Sequence, residues 1–281
     1  MTILIFSHST TDRRQPMSQS TKNYLSIPEF AELPAPLFFR YDEFAAHSHA
    51  HPHRHPWGQL NYSAHGVMQL EVAGQRFISP PSYGIWIPPH AIHSAYNRHS
   101  IVYRSVYLDL SLCADLPQQA CSVVMNDILK AILNNFAERD VQIPQSAADL
   151  RLGQVLIDQL HAAAIEHSYL PYASSTQTSF VVDSLRAEPG NADTLAQWAE
   201  RVFVSERTLA RQFIRETGIS FGEWRQRLRF LAAIEQLETQ QSIKEIAFYL
   251  GYSSPSAFIS MFQRHAQCTP EQYRRQRCNS L

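Results

Sequence analysis

The chain is short of the residues that build several common kinds of protein. Its 281 residues include only four cysteines, Cys113, Cys121, Cys268 and Cys278, none of them in a C-x-x-C pair. That spacing excludes a zinc finger or a disulfide framework and leaves free, reduced thiols, as expected of a cytoplasmic protein. Lysine is scarce, three against 21 arginines, a balance that suits directed, fork-shaped contacts more than diffuse positive charge. No run of eighteen apolar residues exists, so no segment is expected to span a membrane. Met1 to Phe6 is apolar but too short for a signal-peptide core, and Arg13 and Arg14 follow it rather than precede it. Net charge is only −1, yet the halves differ. Residues 190–281 carry 12 Lys/Arg against 9 Asp/Glu, and residues 1–189 carry 12 against 16. A mildly basic C-terminal part predicts modest nonspecific binding to a polyanion at physiological salt.

What the chain does have is helix punctuation, concentrated near its C-terminus. Thr194 to Gly218 and Ser242 to Ala266 each read as a short amphipathic helix, a tight turn and a second helix opened by serine. Ser205 can cap the run from Glu206, and Gly218 closes it where a left-handed residue is cheapest. Leu209, Phe213 and Ile214 recur at helical spacing and are expected to face the core. Ser242 with Glu245 forms a capping box, Ser254-Pro255 is an N-cap followed by proline, and Thr269-Pro270-Glu271 repeats that signature. Phe221 to Glu238 predicts a connecting helix with Trp224, Leu228, Leu231 and Ile234 on its apolar side. Two such helix pairs can set two helices into successive major-groove segments of one duplex, so double-stranded DNA is the first partner to consider.

These residues resemble the DNA-binding domain of the AraC/XylS transcriptional regulators. The run GYSSPSAFISMFQRHAQCTPEQYRR, Gly251 to Arg275, resembles the family signature, and the likeness extends back to Thr194 without a gap. On the first recognition helix the outward positions are Arg207, Ala210 and Arg211, which also match the base-reading positions of the family. Arg207 and Arg211 stand four apart on one face, and arginine pairs bidentately with guanine. The second recognition helix offers Ser256, Ile259, Ser260, Gln263 and Arg264. These are weaker base readers, so phosphate contacts and shape readout are expected there.

The pattern changes to strands from about Leu37 to Leu108, with short β-rich runs at 67–72, 76–78, 85–87 and 101–108 and a turn at Ala73-Gly74. Many short strands suggest a jelly roll or barrel. His47, His49, His51, His53 and His55 occupy every second position, so on one extended strand all five would point the same way. The order HRHPWGQ, then Gly66, then PPHAIHSAYN resembles the two motifs of the cupin barrels. That resemblance implies a metal set of His53, His55, Gln59 and His93, suited to Zn, Ni, Co, Fe or Mn. Gln59 replaces the usual glutamate, and His90 stands where the second motif usually has glycine. The alternative is a shaped pocket for an organic effector, lined by His53, His55, Trp57, Gln59, Trp86 and His93, with Tyr62 and Tyr96 as further aromatic candidates. A histidine cluster can also answer to pH.

The expected fold is therefore a two-domain α+β protein: an N-terminal cupin-like β-barrel with packed helices and a C-terminal all-α tandem helix-turn-helix domain. Residues 1–36 read as a disordered extension, with Met17 an alternative start. Residues 37–166 read as the sensing and dimerisation domain, 167–179 as a linker and 180–281 as the DNA-binding domain, opening near Phe180. Cys121 to Glu138 and Asp149 to Glu166 show helical periodicity, and the resemblance implies that such helices form a homodimer interface. It further implies a small-molecule or metal effector, RNA polymerase as a partner, and control of a neighbouring transport or resistance gene, often by repression. A metal-dependent cupin enzyme is the rival reading. Against it, the one ligand set has no companion acid or base, and a DNA-binding domain has no evident role in catalysis.

Overall fold

The computed structural model describes residues 23–27 and 30–278; the readings made at Met1 to Phe6 and Met17 lie outside the described residues. The N-terminal part is built of eleven strands among those residues: β1 (Asn23–Tyr24), β2 (Leu37–Phe44), β3 (Ser48–His53), β4 (Gly58–His65), β5 (Met68–Val72), β6 (Gln75–Ser79), β7 (Tyr83–Ile87), β8 (His93–Asn97), β9 (Ile101–Leu108), β10 (Cys121–Val124) and β11 (Ile165–Glu166). They form two sheets, in the order β1-β3-β8-β5-β6 and β11-β10-β7-β4-β9-β2. The β5–β6 hairpin turns at Ala73 and Gly74, both at positive φ (49° and 79°), the geometry that matches the right-handed twist of the flanking strands. Between the sheets lie Leu70, Val72, Phe77, Ile85, Ile87 and Ile101.

Two helices, α1 (Asp127–Glu138) and α2 (Ala147–His161), cover the outer face of the six-stranded sheet. Leu129, Ile132, Leu133 and Phe136 of α1 meet Phe39, Leu60, Trp86, Val106 and Leu108 there. Burying a side chain of this size contributes roughly 1.5–3 kcal/mol. The helical pattern expected over Cys121 to Glu138 needs correction. Cys121–Val124 is the strand β10, paired with β7, and the helix begins only after the Asn126 cap. Four apolar-rich residues fit either state, and the vacant edge of β7 decides it. Asp149 to Glu166 is likewise divided, into α2 and β11.

Seven helices follow: α3 (Thr176–Ala187), α4 (Leu195–Arg201), α5 (Glu206–Thr217), α6 (Phe221–Leu237), α7 (Ile243–Tyr249), α8 (Pro255–Ala266) and α9 (Pro270–Cys278). The caps are those the sequence signals. Ser205 accepts from the Thr208 amide, Ser242 and Glu245 form a reciprocal capping box, and Gly218 closes α5 at φ 76°. Trp224, Leu228, Leu231 and Ile234 of α6 join Leu209, Phe213, Ile246, Phe258 and Phe262 in one core. Ile214 departs from its expected inward placement and is 51% exposed. The adjacent Phe213 already points into the core, and a step of one residue rotates the next side chain away.

Two expected boundaries also differ. The stretch before residue 37 is not wholly without structure: β1 runs parallel to β3, and the Phe30 ring sits 5.1 Å from that of Phe38. The segment 167–179 is no loose tether. Tyr169 and Leu170 are each 1% exposed, the Trp224 indole donates to the Pro171 carbonyl at 2.8 Å, and α3 starts at Thr176, ahead of Phe180. Its polar composition hid two apolar anchors.

Candidate functional site

Two sites emerge, one on the helical part and one between the sheets. In the helical part, α4 and α5 form the first helix-turn-helix and α7 and α8 the second, with α6 between them. Each turn passes through one left-handed residue in the same place, Phe203 (φ 58°) after α4 and Gly251 (φ 75°) after α7. Glycine takes that conformation without strain; phenylalanine does not. Phe203 is 94% exposed, so its ring gains nothing from packing to offset it.

Burial on α5 follows the helical period. Leu209 and Phe213 are buried, Arg207 and Arg211 are exposed, and Ala210 lies at the border between them. Among the described residues neither arginine is engaged in an ion pair, so both guanidinium forks point to solvent. On α8, Ser256, Ser260, Gln263 and Arg264 are exposed. Ile259 is half-buried against the helical core, which leaves only part of its side chain exposed. The Arg264 guanidinium reaches Gln226 at 3.4 Å. Helix α5 therefore carries the exposed arginines and α8 mainly small polar groups.

The second site lies between the sheets. The five alternate histidines do not share one face, because the β3–β8 register shifts between Ala50 and His53. A bulge of this kind changes the parity of the strand. Before it, His49 and His51 face outward: His51 stacks on Tyr24 at 3.9 Å and His49 lies 4.7 Å from Tyr96. His47 sits in the preceding turn at φ 58°. After the bulge, His53 and His55 face inward and meet His93 of β8. One ligand nitrogen from each of the three lies within 4.8 Å of the others.

Backbone carbonyls fix the tautomers of this triad. Nδ1 of His53 donates to the His51 carbonyl (2.8 Å), that of His55 to Trp57 (2.9 Å) and that of His93 to Ala91 (2.9 Å). Each Nε2 then carries a lone pair, the second-sphere arrangement that prepares imidazole for a metal. Burial holds all three rings neutral: His53 and His55 titrate below the usual histidine range, and His93 is pushed down to about 3. His93 Nε2 is buried without a partner. His55 Nε2 faces Gln59 Oε1 at 2.9 Å, two lone pairs that repel unless a cation lies beside them. Without a cation, Gln59 and Asn61 turned over together would satisfy His55 Nε2 and the orphaned Asn61 Nδ2. The residues present thus fit a divalent transition metal, held by His53, His55 and His93 with Gln59 as oxygen donor. His90, at φ 64°, shows why glycine is usual at its position.

The lumen beside this triad has a volume of about 40 Å³, space for an ion and a few waters. Arg40, Asn61, Tyr103 and Tyr107 fill the remainder, and Gln59 donates to Asn61 Oδ1 at 2.8 Å and to the Tyr103 hydroxyl at 3.0 Å. These polar neighbours belong to neither histidine motif. Their period-two alternation, Gln59-x-Asn61 on β4 and Tyr103-x-Ser105-x-Tyr107 on β9, was the available signal. Three aromatic candidates are corrected. Trp86 and Tyr62 project to the opposite side of the six-stranded sheet, into the α1–α2 core, and Tyr96 faces out beside His49. Trp57 does border the triad, stacked on His55 at 4.8 Å.

Comparison with known proteins places both parts. Residues 198–276 match the family described as "Helix-turn-helix domain", and residues 35–170 match "AraC-like ligand binding domain". The chain is 30% identical over 221 residues to the HTH-type transcriptional regulator NimR of Escherichia coli (strain K12), covering 79% of this chain and 81% of NimR. It is 34% identical over 103 residues to the HTH-type transcriptional regulator RipA of Corynebacterium glutamicum, covering 37% of this chain and 31% of RipA. Among solved structures, the C-terminal domain of AraT, a response regulator from Geobacillus stearothermophilus, aligns with 31% identity and a TM-score of 0.35, over 36% of this chain and 86% of that one.

Proposed function

Because this chain belongs to the AraC family of HTH-type transcriptional regulators, we propose that it binds a promoter operator sequence-specifically and that a small effector in its N-terminal domain modulates that binding. The observation that carries this reading is the pair of unengaged, exposed arginines on α5, Arg207 and Arg211, set above a fully buried Leu209–Phe213 face. A rigid recognition helix that holds two free forks toward solvent suits guanine edges in the major groove. The second unit, with Ser256, Ile259, Ser260, Gln263 and Arg264, adds phosphate contacts and shape readout. No helix among the described residues is long and apolar enough to cross a membrane.

The metal-responsive reading has its own support in the three histidines, whose ligand nitrogens lie within 4.8 Å of one another, and an ion-sized lumen. Bound there, a divalent metal would supply a charge that links β3 and β4 to β8, and His53, His55, Gln59 and His93 would hold and orient it. The proposal includes a homodimer through α1 and α2, whose outer surfaces leave Ile128, Leu150 and Val155 exposed by 50%, 56% and 40%. It also includes action beside the chain's own gene, on a transport or resistance function, with RNA polymerase as the further partner.

The test is a gel-shift titration on the DNA upstream of its own gene, with EDTA and then with added nickel, cobalt or zinc. A specific shift that metal alters supports the regulator and the metal site together. A specific shift indifferent to metal keeps the regulator and removes the metal. No specific shift would overturn the proposal.

A further inference from the structure

Helix α6 joins the two helix-turn-helix units end to end, but a single rod leaves each unit free to rock about its own joint. What opposes that rocking is a contact between the units themselves. The loop that leads from α3 into α4 lies against the end of α7 and the turn after it. A methyl on Gly190 would overlap the Tyr249 carbonyl oxygen, and one on Gly251 would overlap that of Gly190. Gly251 is left-handed and Gly190 is not, so at 190 glycine serves for room alone. Backbone meets backbone there with no side chain between.

Arg229 of α6, 8% exposed, closes this contact. Its Nε donates to the Pro189 carbonyl at 3.1 Å and its Nη2 to the Asn191 carbonyl at 2.9 Å, on either side of Gly190. Its guanidinium carbon lies 5.2 Å from the ring centre of Tyr252, the residue after Gly251. A guanidinium offers a planar fork and a stacking face at once, which lysine does not. One turn earlier, Arg225 donates to the Asp193 carbonyl at 2.9 Å, and the Asp193 carboxylate meets Arg201 of α4 at 2.7 Å. The loop is thereby held to the first unit and, through Gly251 and Tyr252, to the second. We propose that Arg229 is a positioning residue: through this loop-to-turn brace it fixes α5 relative to α8, and so sets the single spacing along a duplex at which both helices dock. One added base pair moves the second docking point by about 3.4 Å and turns it by about 35°, a step that a braced pair cannot follow. The consequence for DNA rests on the regulator reading; the brace itself does not.

The test has two arms on the full chain. Nitroxide labels in place of Arg215 on α5 and Ala257 on α8, both exposed, read the brace without DNA. Their dipolar distance distribution should be narrow in the otherwise unaltered chain. It should broaden with Arg229→Met, and with Gly190→Ala, which loosens the contact and leaves Arg229 in place. Arg227→Met, which removes contacts to Glu166 and Tyr169 instead, should leave it narrow. The second arm uses a duplex selected from random sequence by the wild-type chain. One base pair inserted between the two patches protected from hydroxyl radicals should weaken wild-type and Arg227→Met binding at least about fivefold, the cost of one misplaced contact. Both brace variants should lose less than about twofold. An unchanged distribution in either brace variant, equal broadening in Arg227→Met, or the full insertion loss in a brace variant would each overturn the proposal. A wild type that selects no duplex would overturn the regulator reading and the spacing with it, whereas the label distances judge the brace regardless.

Discussion

Replacing Arg227 by methionine tests how much one buried cation adds to the hold between the two parts of the molecule, beside the His65–Glu238 and Gly66–Tyr273 contacts. Arg227 lies on α6, with its side chain 10% exposed. Its Nε donates to Glu223 at 2.9 Å, and its Nη1 donates to Glu166 at 2.6 Å and to the Tyr169 carbonyl at 3.1 Å. Glu166 belongs to β11 and also accepts from the Tyr83 hydroxyl of β7, so the guanidinium ties the six-stranded sheet to the helical core. Methionine keeps the apolar stem and removes the donors. Both carboxylates are a third or more exposed (33% and 41%), so each lost pair counts for about 1 kcal/mol after solvent screening. The Tyr169 carbonyl left buried without its donor adds about 1 kcal/mol. The sum, about 3 kcal/mol, lowers Tm by roughly 6–12 °C for a chain of this size. Thermal unfolding followed by circular dichroism measures it, with Glu166→Gln and the double variant closing a cycle. The effector response in a gel shift should weaken along with Tm, while operator binding by the intact α5 persists. A fall below about 2 °C, or full additivity in the cycle, would refute the assignment of Arg227 as a tie.

Other expectations follow from the same structure. Arg211→Ala should weaken specific operator binding by about 1–3 kcal/mol if its fork reads guanine; unchanged affinity in a gel shift would place it outside the base contacts. Metal-free protein should lose stability on acidification. His93, held near 3 when folded against 6.5 when unfolded, makes the unfolded state take up the proton first. Its contribution is complete above pH 6.5 and falls by about 1.4 kcal/mol per pH unit below it. Urea midpoints at pH 7.5 and 5.5 check this, and His93→Gln should flatten the difference. Gly251→Ala should cost at least about 1–2 kcal/mol from its left-handed φ alone, and more because the added methyl meets the Gly190 carbonyl; an unchanged Tm would show that the two loops can part freely.

Much of this molecule was legible in the sequence because its signals are local. The Ser205 cap, the Ser242–Glu245 box and the glycine at 218 each act within one helical turn, so nearby residues suffice to place them. The exposure of Arg207 and Arg211 followed from the period of a single helix. The approximate positions of four strands, β5, β6, β7 and β9, were similarly local, as was the identity of His53, His55 and His93 as a motif. Where a neighbour makes the decision, the local signal failed. Cys121–Val124 is a strand because β7 offers an open edge, and Trp86 turns away from the histidines because α1 supplies the apolar surface that buries it. The five alternate histidines look equivalent along the chain. Only the β3–β8 register, set by hydrogen bonds between strands 40 residues apart in sequence, sends two of them inward to a metal-sized lumen and two outward. Sequence thus determined the helices, their caps and the family of chemistry. Pairing across the sheets determined which side chains meet, since a single extra residue in a strand inverts every face beyond it.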